Sequence, residues 1–434
     1  MAALLSAALA APPAAAQAFG QNQVRIRDFD WKAVDTAHFR IHYYGDSAPL
    51  VPYAAGVLER SYEADSKALG VSWTVKKPFF LYADVNAMEQ STIVDVGDGT
   101  GGVTEPFKDR FMVYADGTRQ WLDDVVSHEL THVFQYDVWM SGKWRSGRIL
   151  KSIVYPLWFV EGMAEYYSRG RGDTQSELVV RDAATSDGLI PLWKLEHFGH
   201  LKPHQVRLAY ELGESAVAFL DDQYGTGTVP RMLRLFDSRF DVSSVLGDVT
   251  GLDIFAFDRK WREFETDEGR RSVRLERLRE PDSYGPALTR PQGGLPQFDT
   301  SPVYTPDGHT LAWLSTRDGY PPQVLARDLR TGRTRTLMGF DSRVESIMLG
   351  KFVNLSRVLA VSPDGRTLAF AGTKNHRDSI WLCDLRTGRL RRLRVPGFET
   401  VDQPAYSPDG RSLAFSGVKD GMSDLWLLDL ASGR

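Results

Sequence analysis

Three short turns in the last third of the chain constrain its fold most. Thr305-Pro-Asp-Gly308 recurs as Ser362-Pro-Asp-Gly365 and again as Ser407-Pro-Asp-Gly410. Proline presets φ for a turn, and glycine accepts the positive φ that completes it. A short alternating strand follows each turn: Leu311-Ala-Trp313, Leu368-Ala-Phe370 and Leu413-Ala-Phe415. Each unit then reaches an apolar strand ending in Asp-Leu, at Asp328-Leu329, Asp384-Leu385 and Asp429-Leu430, with a glycine turn beyond it at Gly332, Gly388 and Gly433. Short strands and turns at a period of about 45 residues are the pattern of propeller blades. The first interval is longer than the second, so an inserted loop is expected near residues 340–355.

These repeats resemble the TolB-type β-propeller family over about 130 residues. A propeller closes with about 4–8 blades. Three are countable here, and the last breaks off at Gly433-Arg434 before its fourth strand, so the chain reads as a piece of a longer protein. The alternative is a small sheet of three hairpins, which the poor tolerance of exposed sheet edges disfavours.

Upstream of the repeats the pattern changes. A linker is expected where Glu280-Pro-Asp-Ser-Tyr-Gly-Pro286 leads into the Pro/Gly-rich run to Pro296. Before it, residues 39–44, 79–82 and 111–114 read as strands, and 49–69, closed by Gly70, reads as a helix. Further helices are expected over 121–136, with Asp123 and Asp124 suiting its positive N-terminal end, and over 157–168, ended by Gly170. Others follow over 205–224, 229–236 and 254–268. Strands first and helices after predict an α+β domain over 19–280, followed by an all-β part over 281–434.

Residues 1–18 read as a signal peptide. The apolar run 4–11 is far shorter than the roughly 20 residues a membrane span needs. Ala16-Gln17-Ala18 has the form of a cleavage site, although no Lys or Arg precedes Arg25. A disordered Ala/Pro-rich leader is the alternative. The expected protein is exported, periplasmic or envelope-associated, without a membrane span. Its net charge of −4 argues against a nucleic-acid partner. Cys383 is the only cysteine, which excludes a disulfide framework or a cysteine-held metal within the chain.

The chemistry sits in His128-Glu129-Leu130-Thr131-His132. On a helix, positions i and i+4 share a face, so both imidazoles can reach one metal ion. Zinc suits nitrogen and oxygen donors in a tetrahedral set and makes water nucleophilic at neutral pH, with Glu129 placed to take the proton. Leu122, Val126, Leu130 and Val133 form an apolar stripe that packs this helix and leaves another face for a cleft. A third ligand is available in Leu157-Trp-Phe-Val-Glu161-Gly-Met-Ala-Glu165. Glu161 and Glu165 again share a helical face, among bulky apolar residues, where carboxylates need partners. One zinc ion would serve Glu161, and Glu165 could accept from a ligand imidazole. The bland alternatives are surface histidines and solvated carboxylates.

His128–His132 followed by Trp158-x-x-Glu161-Gly-x-Ala-Glu165-Tyr resembles the gluzincin zinc peptidases, the group that includes thermolysin. The nearest resemblance is to the bacterial peptidase MA-like family, whose members often carry TolB-like repeats. The stretches Asp28 to Trp31, His38 to Tyr43 and Gly101 to Glu105 are similar to it as well. The resemblance implies a thermolysin-like α+β fold, with Glu161 as third zinc ligand and Glu129 as general base. Metzincins fit less well, because Gln135 and Val138 stand where they need Gly and His. Asn86-Ala-Met-Glu-Gln90 is similar to the G-A-M-E-N exopeptidase motif but differs at both ends, and otherwise reads as a loop after a strand.

An oxyanion donor is needed too. Tyr210, in a Tyr-x-x-Gly-x-Ser run that the family shares, is the candidate; a core tyrosine is the equal alternative, and His200 and His204 rank lower. Residues 111–114 are the expected edge strand for an extended peptide substrate. The function expected is hydrolysis of a peptide or protein substrate, with the propeller as a binding or gating module or as the seat of a protein partner. The competing readings are a non-catalytic envelope binding module with structural zinc and a zinc hydrolase of non-peptide substrates.

Overall fold

The structure is a computed structural model that describes residues 28–90, 100–106, 108–140, 155–170, 173–239, 241–279, 283–289, 299–318, 322–339, 344, 346–347, 358–375 and 377–433. The leader, most of the linker and most of the expected inserted loop lie outside these residues.

The first sheet has five strands: β1 (Lys32–Asp35), β2 (Phe39–Tyr43), β3 (Lys77–Tyr82), β4 (Gly102–Glu105) and β5 (Arg110–Tyr114). Their order is β1-β2-β3-β5-β4, with β2, β3 and β5 parallel and both edge strands antiparallel to their neighbours. Side chains alternate across it. Phe39, Ile41, Phe79, Leu81, Phe111 and Val113 enter the main core, while Met112 and Tyr82 pack on the opposite face with Phe29, Tyr44 and Met88. The expected edge at 111–114 is therefore corrected: β5 is interior, and β4 covers it.

Helix α1 (Val51–Leu69) crosses from β2 to β3 and buries Ala54, Val57, Leu58, Tyr62 and Leu69 at helical spacing. Residues 85–89 form a short helix, α2 (Val85–Glu89), not a loop, because the Asp84 carboxylate accepts from the Ala87 N–H at 2.8 Å. Helix α3 (Arg119–Met140) begins two residues earlier than its apolar pattern predicts. Thr118 Oγ1 accepts from the Trp121 N–H at 3.3 Å, a cap set before the stripe starts. Asp123 and Asp124 thus fall beyond the first turn; Asp123 accepts from the Tyr53 hydroxyl at 2.6 Å instead.

Helices α4 (Leu157–Arg169), α5 (Thr174–Thr185), α6 (Pro203–Tyr224), α7 (Thr228–Leu235), α8 (Val242–Thr250) and α9 (Ile254–Glu276) complete this part. Helices α4 and α6 cross at close range. A Cβ on Gly162 would stand 2.2 Å from the carbonyl carbon of Gly213, and one on Gly213 would stand 2.5 Å from the Trp158 oxygen. Only a glycine pair admits that approach.

The α1–α3 packing holds a buried acid. Thr131 Oγ1 donates to Asp65 at 3.1 Å, and Ser61 and Ser127 pair at 2.7 Å. Burial raises the Asp65 pKa from 3.8 to about 7, against the Thr131 hydrogen bond, which lowers it. The folded chain therefore holds a proton there that the unfolded chain releases, so stability falls as pH rises from about 4 to 7. Asp65→Asn is expected to stabilise by on the order of 2–4 kcal/mol at pH 8 and hardly at all at pH 4. Thermal melts at the two pH values check this; an equal shift at both would refute the charge account.

The repeats form three antiparallel sheets. The first is β6 (Asp299–Tyr304), β7 (Thr310–Ser315), β8 (Gln323–Asp328) and β9 (Thr334–Met338). In the second, β12 (Thr367–Thr373), β13 (Asp378–Asp384) and β14 (Leu390–Leu393) follow a first strand split into β10 (Ser346–Ile347) and β11 (Ala360–Val361), which pair with successive halves of β12. The extra residues of the longer interval fall inside that split. The third sheet is β15 (Thr400–Tyr406), β16 (Ser412–Lys419) and β17 (Met422–Asp429). Each Pro-Asp-Gly turn is built alike: the Thr305, Ser362 or Ser407 hydroxyl donates to the turn aspartate at 2.6 Å. The sheets touch the first part of the chain, since the Ser423 N–H donates to the Gly117 carbonyl at 3.1 Å. No closed ring of blades is present among the described residues.

Candidate metal centre

His128 and His132 project from the middle of α3, whose stripe of Leu122, Val126, Leu130 and Val133 is buried against the core. Glu161 projects from α4, which the Gly162–Gly213 contact and the buried Trp158 and Phe159 fix in place. The three ligand atoms converge. His128 Nε2 and His132 Nε2 are 3.2 Å apart, and Glu161 Oε2 lies 3.3 Å from His132 Nε2 and 3.5 Å from His128 Nε2. A tetrahedral ion with ligands at 2.0–2.1 Å would space its donors about 3.3 Å apart. The donor set therefore fits one zinc ion in both spacing and chemistry. Among the described residues, this is the one His/Cys/Asp/Glu group with such convergence.

The electrostatics agree with a site built for positive charge. Burial alone would lower the His132 pKa, but the Glu161 and Glu129 carboxylates raise it to about 9. Burial likewise opposes ionisation of Glu161, and the two imidazoles overcome it and hold its carboxyl well below the usual range.

Neighbours orient the two imidazoles. Gln135 Nε2 donates to the Val160 carbonyl at 2.8 Å, which turns its Oε1 toward His132 Nδ1 at 2.9 Å. That acceptor places the ring proton on Nδ1 and leaves the Nε2 lone pair for a metal. Glu165 faces His128 Nδ1 at 3.5 Å with one oxygen, and its other oxygen pairs with Arg169 at 2.9 Å. Arg169 also reaches Asp173 at 3.4 Å and Glu211 at 3.5 Å. Gln135 was not singled out as a site residue in the sequence. Its helical spacing of three from His132 was the available signal, but its role depends on Val160 of another helix.

Glu129 is buried beside the ligands, and Thr104 Oγ1 of β4 donates to its Oε2 at 2.6 Å. Tyr210, on α6, stacks near His128 with ring centroids 6.4 Å apart and packs on Phe198. Burial first, then the carboxylates of Glu161, Glu165 and Glu129, raise its phenol well above the ordinary value, so it stays a proton donor. His200 is exposed on the approach to α6, and the His204 side chain lies outside the described residues.

Residues 66–267 match the sequence model of the Peptidase MA superfamily. A dipeptidyl-peptidase 5 of Porphyromonas gingivalis is 31% identical over 105 residues, which is 23% of this chain and 14% of that protein. Among solved structures, TolB from Acinetobacter baumannii shares 24% identity over 32% of this chain and 31% of its own, with a TM-score of 0.26. The β-propeller domain of the Trilobed protease from Pyrococcus furiosus shares 19% over 32% and 40% of the two chains, with a TM-score of 0.24. The chain thus spans a small fraction of the curated relative and under half of either structure. The site and the helices that carry it lie within the segment that matches the Peptidase MA superfamily model. The three Pro-Asp-Gly repeats follow that segment in the chain.

Proposed function

We propose that this chain is an exported zinc metallopeptidase that hydrolyses peptide bonds, with residues 19–280 as the catalytic domain in a thermolysin-like arrangement and 281–434 as a partial propeller that binds or gates. One observation carries the reading: His128, His132 and Glu161 converge at donor spacings that suit zinc, with a buried carboxylate, Glu129, beside them. Zinc bound there would polarise a peptide carbonyl and lower the pKa of a coordinated water. Glu129 takes the proton from the attacking water and hands it to the leaving amine. Tyr210 offers its phenolic hydrogen to the developing oxyanion, a role its persistent protonation suits. Gln135 and Glu165 keep the two imidazoles turned toward the ion. The edge strand of the first sheet beside Glu129 is β4, so an extended substrate pairs there rather than on β5. Export rests on residues 1–18 as a signal peptide; no helix of the described residues is long and apolar enough to cross a membrane.

Incubation with a peptide library, with and without a chelator, tests the reading. Cleavage is expected to be abolished by the chelator and restored by added zinc. Cleavage indifferent to chelation would overturn zinc dependence, and no cleavage of any library peptide by the zinc-loaded chain would overturn peptidase action.

A further inference from the structure

We propose that Thr104 is the positioning residue for Glu129, so that edge strand β4 seats the base; this rests on the reading of Glu129 as the base. Two residues of β4 reach Glu129 from one face of the strand, as residues i and i+2 must. Gly102 lies beneath its methylenes: a Cβ there would stand 2.5 Å from Glu129 Cγ and 2.9 Å from Cδ. Beyond it, Thr104 Oγ1 stands 2.6 Å from Glu129 Oε2 and 3.1 Å from the Glu129 carbonyl oxygen. A hydroxyl has one hydrogen and two lone pairs, so it can donate to one of these oxygens at a time. Its hydrogen goes to Oε2, the nearer of the two. The anchor thus fixes the Glu129 carboxylate from the strand side, against the backbone of its own residue. Pairing of Thr104 opposite Phe111 fixes the anchor in the sheet.

The test compares Thr104→Val, which keeps the shape without the hydroxyl, with Thr104→Ser, which keeps the hydroxyl. The probe is the best-cleaved peptide of the library. In Thr104→Val, kcat is expected to fall about 10- to 100-fold with KM and zinc content unchanged, and Thr104→Ser is expected to recover to within about threefold of wild type. A crystal structure of metal-free Thr104→Val should show the Glu129 carboxylate displaced from its wild-type position. Wild-type kcat in Thr104→Val overturns the proposal, as does an equal loss in both variants with a lowered melting temperature. Full activity of Glu129→Gln would defeat the base reading alone; the carboxylate position in the metal-free variant would still decide the anchor.

Discussion

Glu129→Gln is expected to keep one zinc per chain and lose about 10²- to 10⁴-fold in kcat. The amide is nearly the same shape as the carboxyl and can still accept from the Thr104 hydroxyl, so α3 and its buried stripe are undisturbed. What it lacks is basicity: an amide oxygen cannot take a proton from water at neutral pH. The proposed ligands His128, His132 and Glu161 do not include Glu129, so zinc content by elemental analysis should match the wild type. The expected signature is therefore a folded, zinc-loaded and inactive protein. Full activity would end the proposed mechanism, and loss of zinc together with activity would move Glu129 from base to structural support.

The sequence carried the local half of this site. Spacing of four on a helix puts His128 and His132 on one face, and a stripe at 122, 126, 130 and 133 says which face is buried. Glu161 came from its frame before Gly162, and its approach to the histidines depends on that glycine meeting Gly213 of α6. The non-local half was less legible. Strand order is decided by pairing between distant segments, so nothing at 111–114 announced that β4 would cover it. Thr104 stayed unseen for the same reason, because its partner is 25 residues away on another element. Helices α5 and α8 escaped notice. The last third of α9 did too, because polar contacts hold it, such as Arg181 to Glu276 at 2.9 Å, where apolar spacing has no signal. The blade turns were legible for the opposite reason: their hydrogen bonds close within five residues.

The His132→Ala variant has the second large expected effect, and it is on the metal. Removing one of the three proposed ligands leaves His128 and Glu161, too few donors to hold zinc against dialysis. Zinc content is expected to fall below about a tenth of an ion per chain, and hydrolysis to go with it. A second loss follows from the same change. In the metal-free wild type, the Glu161 and Glu129 carboxylates raise the His132 pKa and favour its charged form, which faces Glu161. Alanine removes that charge and also strips Gln135 Oε1 of its partner, while Gln135 Nε2 stays tied to Val160. The buried oxygen without a donor costs about 1–3 kcal/mol. The metal-free variant should therefore melt below the metal-free wild type, a comparison in which zinc plays no part. Unchanged zinc content would refute His132 as a ligand. Zinc loss without the melting difference would leave the ligand in place and refute the Gln135 account of how its ring is held.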